Sequence, residues 1–169
     1  MSSISVDKII DKLELKKHPE GGHFRENYRS KDFILPNSLW NGATEPRNYC
    51  TGIYFLLNEN EFSAFHKIKQ DEMWHHYIGS TLLLHIISPD GNYQKIKIGK
   101  DLAKDEQLQY VVPANHWFAS EVLESKGFVL CGCTVSPGFD FKDFEMPTRE
   151  SLIKIFPQHR KIITNLTYS

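Results

Sequence analysis

Short β-prone segments set off by turn residues constrain this chain more than any other feature. Residues 49–57, 62–68, 72–78, 81–88, 93–98, 108–112, 117–122 and 128–135 carry the β-branched and aromatic side chains that suit a pleated, half-buried surface. Turn chemistry separates them at 58–61, Gly79-Ser80, Pro89-Asp90-Gly91-Asn92, Ala114-Asn115 and Ser125-Lys126-Gly127. Of these, Pro-Asp-Gly-Asn is the strongest hairpin signal. Many short strands at close spacing predict a sandwich or barrel, and a double-sheet jelly roll protects its edges and leaves a mouth between the sheets. At 169 residues, with 40% hydrophobic and 24% charged residues, the chain is expected to form a single domain over 1–169.

The flanks read differently. Val6, Ile9, Ile10 and Leu13 recur at helical spacing after Ser5, a good N-cap. His18-Pro19-Glu20-Gly21-Gly22 breaks that helix. Residues 23–29 suit a strand with Phe24, Glu26 and Tyr28 on one face. Residues 31–46, with Pro36 and Pro46, read as a long loop, and loops of that length are often functional. Pro147-Thr148 opens a short helix carrying Leu152, Ile155 and Phe156 and stopped by Pro157.

Within the strand-rich region, residues 66–79 give up burial to place polar side chains. They hold His66, His75, His76, Asp71, Glu72 and Trp74 between two apolar runs. Local rules of folding are most often broken at functional sites. Strand alternation puts Glu72, Trp74 and His76 on one face and Met73, His75 and Tyr77 on the other. A one-residue bulge exchanges His76 for His75, and the sequence leaves that choice open.

The spacing His66, Ile68, Glu72, Gly79 resembles the first motif of the cupin superfamily, H-x-H, three or four residues, E, six residues, G. The second motif, P-x-G-x-x-H, falls on residues 113–118, where Pro113 matches, Asn115 stands for the Gly and Phe118 for the last His. Further stretches resemble one uncharacterised cupin branch: H-P-E-G-G-H-F-R-E-N-Y-R-S at 18–30, D-E-M-W-H at 71–75 and V-S-P-G-F-D-F at 135–141. The resemblance spans nearly the whole chain. It implies an all-β fold, a double-stranded β-helix or RmlC-like jelly-roll barrel with short flanking helices.

In the resembling family the motif Glu points into the barrel, so His66 and Glu72 are expected to meet in one cavity as an acid/base pair. Arg25, Tyr28, Trp74, His76 and Trp117 are the expected ligand contacts. Trp74 and Trp117 suit stacking, and Arg25, with Arg29 and Arg47, suits an anion or pairs with Glu20 and Glu26. His66, Glu72 and His76 form a candidate facial set for a divalent iron, manganese, nickel or zinc ion. Ile68 and Phe118 replace two of the four usual ligands, so no cofactor is certain and weak or absent metal binding is expected. His116, in the turn before Trp117, is a further candidate ligand. His18, His23, His85 and His159 read as structural or solvated, and Cys131 and Cys133 as small buried packers. Phe139, Phe141 and Phe144 are expected to cover a barrel end or build a dimer contact.

These residues and the resemblance imply a small-molecule-binding cupin, with a sugar-phosphate or sugar-nucleotide epimerase or isomerase as the leading enzyme class. The alternatives are a metal-dependent oxygenase or isomerase with a reduced ligand set and a non-enzymatic ligand-binding or sensor protein. A net charge of −1, with no basic face, helix-turn-helix or zinc-finger spacing, argues against nucleic acid as a partner. No apolar run approaches the roughly 18 residues of a membrane span. The N-terminus lacks the apolar core of a signal peptide, and three cysteines read as reduced thiols in the cytoplasm. A homodimer paired through the sheets is expected.

Overall fold

The computed structural model describes residues 4–124 and 127–168. In chain order its elements are α1 (Val6–Leu13), β1 (Lys16–Lys17), β2 (His23–Arg29), β3 (Phe33–Ile34), β4 (Arg47–Asn48), β5 (Thr51–Asn58), β6 (Phe62–His66), β7 (Asp71–Gly79), β8 (Leu82–Ile87), β9 (Tyr93–Ile98), β10 (Gln109–Val112), β11 (Trp117–Val122), β12 (Phe128–Ser136), α2 (Arg149–Ile155) and α3 (Arg160–Asn165), with short 3-10 turns at Pro36–Ser38, Leu102–Lys104, Phe141–Asp143 and Pro157–His159. The expected turn at 125–127 lies in part outside the described residues.

Two antiparallel sheets face each other, one ordered β1-β2-β5-β12-β7-β10 and the other β6-β11-β8-β9. This is the jelly-roll sandwich, and its main core lies between the sheets. Phe55, Trp74, Leu84, Ile86, Phe118 and Cys131 are among its fully buried members. Each sheet is also covered on part of its outer face. Helix α1 lays Ile9 on Leu56 and Leu130 of the six-stranded sheet. Ser5 starts that helix by accepting from the Lys8 N–H. Leu152, Phe156, Ile163 and Leu166 of the C-terminal helical segment cover Phe65, Trp117 and Ala119 of the four-stranded sheet. Helix α3 was not legible in the pattern. The 31–46 segment holds β3 and a 3-10 turn, and β3 pairs with β4.

Three local features position the interior side chains. Gly21 and Gly22 both take positive φ, 114° and 68°. A Cβ at Gly21 would overlap the Phe62 carbonyl, so only glycine lets this segment lie flat along β6, where the Ala64 N–H donates to the Glu20 carbonyl at 2.8 Å. On β2 the register against β5 slips between Glu26 and Tyr28. The bulge keeps Phe24, Glu26 and Arg29 on the inner side and turns Tyr28 outward, 56% exposed. On β7 the slip falls later, with His76 opposite Cys131 and Ile78 opposite Leu130. Glu72 and Trp74 therefore keep their inward alternation.

Candidate functional site

One end of the sandwich encloses a cavity of about 250 Å³. Its walls are mostly apolar and aromatic, including Phe24, Phe55, Ile68, Trp74, Phe139 and Phe144. Its polar lining comprises His18, Glu20, His66, Glu72 and Cys133, together with Glu26, Arg29, Thr51 and Asp140. Three strands and the 18–22 segment converge to place the most buried of them: β6 ends on His66, β7 begins with Asp71 and Glu72, β12 brings Cys133, and the diglycine segment carries Glu20.

The structure pairs His66 with Glu20 rather than with Glu72. His66 Nε2 lies 3.2 Å from Glu20 Oε2, with both side chains almost fully buried. His66 Nδ1 lies 2.8 Å from the Ala64 carbonyl. A carbonyl can only accept, so Nδ1 carries the hydrogen and Nε2 of the neutral ring has a lone pair. The contact with Glu20 then needs a proton from the carboxyl. Burial acts on both partners in that direction. It pushes His66 down to about 3, against the Ala64 hydrogen bond, and holds Glu20 well above the usual carboxylate range, helped by the charge of Glu72. The couple is therefore a neutral carboxylic acid donating to a neutral imidazole. Glu20 Oε1 is fixed by the Ser63 hydroxyl, which donates at 2.9 Å. The His66 ring is held between Phe118 and Phe144, at centroid distances of 4.1 and 5.3 Å.

Glu72 faces the same cavity from β7. Burial lifts its carboxyl from 4.5 to about 7, although the neighbouring Cys133 thiol opposes the shift. It thus stands near half-ionised at neutral pH. Burial also pushes Cys133 upward and keeps it a thiol. His18 completes the polar group: its Nδ1 accepts from the Glu20 N–H at 3.3 Å, and burial lowers its ring to about 4.

Other residues singled out in the sequence lie elsewhere. His76 shares the inner face by register, but its Nε2 meets the Ser80 carbonyl at 3.0 Å, outside the cavity. His75 points to the outer face, between Thr134 at 2.9 Å and Gln109 at 2.9 Å. Trp117 is buried in the cluster beneath the C-terminal helices, while its neighbour Phe118 enters the inner core. The covered outer face of β11 makes both of its faces apolar, and alternation alone cannot say which is inside. Arg25 bonds Glu14 at 2.9 Å and the Leu13 carbonyl at 3.1 Å near the surface. His116 stays in its turn, against the Ala114 carbonyl at 3.1 Å.

Glu20 and His18 were not singled out as chemical groups by sequence reasoning. The contacts of Glu20 with His66 and Ser63 span more than forty residues, His18 joins the group through Glu20, and the visible signal was the Gly21-Gly22 pair that permits the close approach.

The expected metal set of His66, Glu72 and His76 does not come together in the cavity. His66 is engaged at both nitrogens, His76 is outside, and Ile68 and Phe118 present carbon where ligands would stand. Among the described residues no three His, Cys, Asp or Glu side chains are arranged to hold an ion. Among them, too, no helix is long and apolar enough to cross a membrane.

The chain as a whole has relatives among known proteins. Residues 7–147 match the family described as Cupin superfamily (DUF985). The uncharacterized protein YML079W of Saccharomyces cerevisiae is 33% identical over 159 residues, covering 89% of this chain and 79% of the yeast protein. Protein SO0799 from Shewanella oneidensis is 38% identical and superposes with a TM-score of 0.89, covering 98% of this chain and 99% of that one. A hypothetical protein from Leishmania major is 32% identical with a TM-score of 0.88, over 98% and 100% of the two chains. Oxalate decarboxylase from Bacillus subtilis shares the fold at a TM-score of 0.56 and 16% identity, over 89% of this chain and 36% of its own.

Proposed function

The chain belongs to the DUF985 family of the cupin superfamily, and on that footing we propose that it is a metal-independent proton-transfer enzyme acting on a small molecule in the barrel cavity. The observation that carries the reading is the buried Glu20–His66 couple facing Glu72 across one apolar-walled space. Enzymes that move protons at neutral pH hold a base near the ambient pH, and Glu72 at about 7 meets that condition. Glu72 as carboxylate takes a proton from carbon next to a carbonyl. The electron pair moves to the carbonyl oxygen, which takes the proton of the Glu20 carboxyl. His66 Nε2 holds the protonated Glu20 side chain in place, and the Ser63 hydroxyl stays as a donor to the Glu20 carboxylate when that proton has left. Glu72 then returns its proton to carbon, at the same atom or its neighbour, while Glu20 recovers a proton from the enediol oxygen that becomes the carbonyl, which gives epimerisation or isomerisation with no net redox change.

A sugar derivative fits this chemistry, and the epimerase or isomerase class expected from the sequence is retained as part of the proposal. A manganese-dependent reaction like that of oxalate decarboxylase, whose Mn(II) centres have been studied, finds no matching donor set here. The homodimer and the cytoplasmic setting remain expectations of this reading. The outer face of the six-stranded sheet exposes Tyr28, Tyr77, Ile78 and Val111 for such pairing.

Hydrogen–deuterium exchange tests the reading without knowledge of the product. A panel of aldoses, ketoses and α-hydroxy ketones is incubated with the protein in deuterated buffer and followed by proton NMR. Loss of a C–H signal next to the carbonyl of at least one compound is expected. The loss should fall by roughly a hundredfold or more in Glu72→Gln and in Glu20→Gln, the usual scale for a general acid or base. Exchange that is absent across the panel, or unchanged in both variants, contradicts the proposal.

A further inference from the structure

The charges around the cavity select among ligands. Among the described residues four that bear carboxyls line it, Glu20, Glu26, Glu72 and Asp140, against one cation, Arg29. That guanidinium is already spent. Its Nε and Nη2 donate to the two Glu26 oxygens at 2.8 and 2.6 Å, its Nη1 to Asn48 Oδ1 at 2.8 Å, and Nη2 again to the Phe139 carbonyl at 3.1 Å. The two lining histidines are held neutral by burial, His18 at about 4 and His66 at about 3. A phosphate or carboxylate entering this space would lose its water and meet no free positive partner.

The apolar wall and one unused donor describe the complementary molecule. Phe24, Phe55, Phe139, Phe141 and Phe144 offer ring faces and edges that attract flat rings and cations. Trp74 is 1% exposed, lines the cavity, and its indole N–H has no hydrogen-bond partner among the described residues. Buried donors without partners are rare in native structures. A ligand that brings an acceptor to this wall would satisfy it.

We propose that the cavity takes a neutral or cationic, ring-bearing molecule with a donor for Glu72 and an acceptor for Trp74, and turns away phosphorylated and carboxylated ones. This rests on the reading of the cavity as the substrate site, and it narrows the sugar derivatives above to those without a charged acid group. Charge complementarity of this kind works chiefly through specificity against the wrong partner.

Calorimetric titration of the full chain near pH 7.5 with benzylamine, benzyl alcohol and phenyl phosphate tests it, since the three carry one ring and differ in charge. Benzylamine is expected to bind about tenfold or more tightly than phenyl phosphate, with benzyl alcohol between them. In Glu72→Gln the benzylamine advantage over benzyl alcohol should shrink severalfold. Phenyl phosphate binding as tightly as benzylamine overturns the proposal, as does failure of all three to bind at millimolar concentration. The two readings fail separately. A benzylamine preference without deuterium exchange leaves the charge selection standing and removes the proton transfer. A phosphate preference with exchange intact does the reverse.

Discussion

Replacing Asp143 by Ala is expected to cost about 3–5 kcal/mol of stability, the scale for breaking a buried ion pair on one side. Asp143 sits in the 3-10 turn Phe141–Asp143 and accepts from Arg47 Nε at 2.6 Å, Arg47 Nη2 at 2.8 Å and Gln70 Nε2 at 2.7 Å. The Arg47 and Asp143 side chains are 7% and 2% exposed, so the charges are barely screened. Removing the carboxylate leaves a buried guanidinium with the Glu45 and Pro46 carbonyls, at 3.2 and 2.9 Å, and the Trp40 ring, none of which carries a negative charge. The same turn carries Phe141 and is followed by Phe144, both on the cavity wall. Ligand affinity should therefore fall along with stability. Urea denaturation gives the stability. The double variant Arg47→Leu with Asp143→Leu is expected to lose less than Asp143→Ala, because it removes the uncompensated charge. A loss below about 1 kcal/mol for Asp143→Ala, the range of a surface pair, would show that water reaches this bridge.

The second large effect depends on pH. Glu72 has a folded-state value of about 7 against an ordinary 4.5. Because the folded value is raised, the protonated form is favoured in the native state. Its contribution is fully present below about 4.5, is lost as the pH rises from there through about 7, and stays lost above that. The difference corresponds to about 3 kcal/mol. Glu72→Gln keeps the shape without the ionisation. The variant should match the parent near pH 4.5 and exceed its stability by up to about 3 kcal/mol near pH 8. At roughly 2–4 °C per kcal/mol for a chain of this size, that is a rise of about 6–12 °C in Tm. Parallel stability curves for the two proteins between pH 4.5 and 8 would mean that Glu72 ionises as if in water. His66 and His18 act on the acid side. Their values are depressed, so the stability they contribute is present above about 6.5 and is lost as the pH falls towards 4 and 3.

A stabilising change at the residue assigned as the base is physically coherent. Burying a carboxylate beside a second carboxyl costs folding energy, and active sites commonly keep such costs for the chemistry they permit. The same reasoning explains why Glu20 is tied to Ser63 and His66: a buried acid without partners would be costlier still.

What could be read in the sequence was local. Strand alternation in 72–76 and turn residues between strands identify β7, β8, β9 and β12, because period and turn chemistry are short-range properties. The placement of His66, Ile68, Glu72 and Phe118 on inner positions followed from the motif resemblance. What could not be read was set by distant contacts. Glu20 reaches His66 only because Gly21 and Gly22 let the backbone lie against β6. Tyr28 leaves the inner face because of a bulge that no turn residue announces. Trp117 is drawn outward by helical residues that lie some thirty-five to fifty positions later in the chain. His76 keeps the expected face but ends beside Ser80, beyond the cavity, since a face assignment says nothing of depth along the strand.

The shared proton between Glu20 and His66 is the centre of the proposed chemistry, and the protonation of His66 reports on it directly. Nitrogen-15 NMR of the full chain labelled at histidine distinguishes the two ring nitrogens. A neutral His66 with hydrogen on Nδ1 and a lone pair on Nε2, unchanged from about pH 5 to pH 8, is the expected result. A His66 that carries hydrogen on both nitrogens at neutral pH, or titrates near the ordinary 6.5, would contradict it and make Glu20 a simple counter-ion.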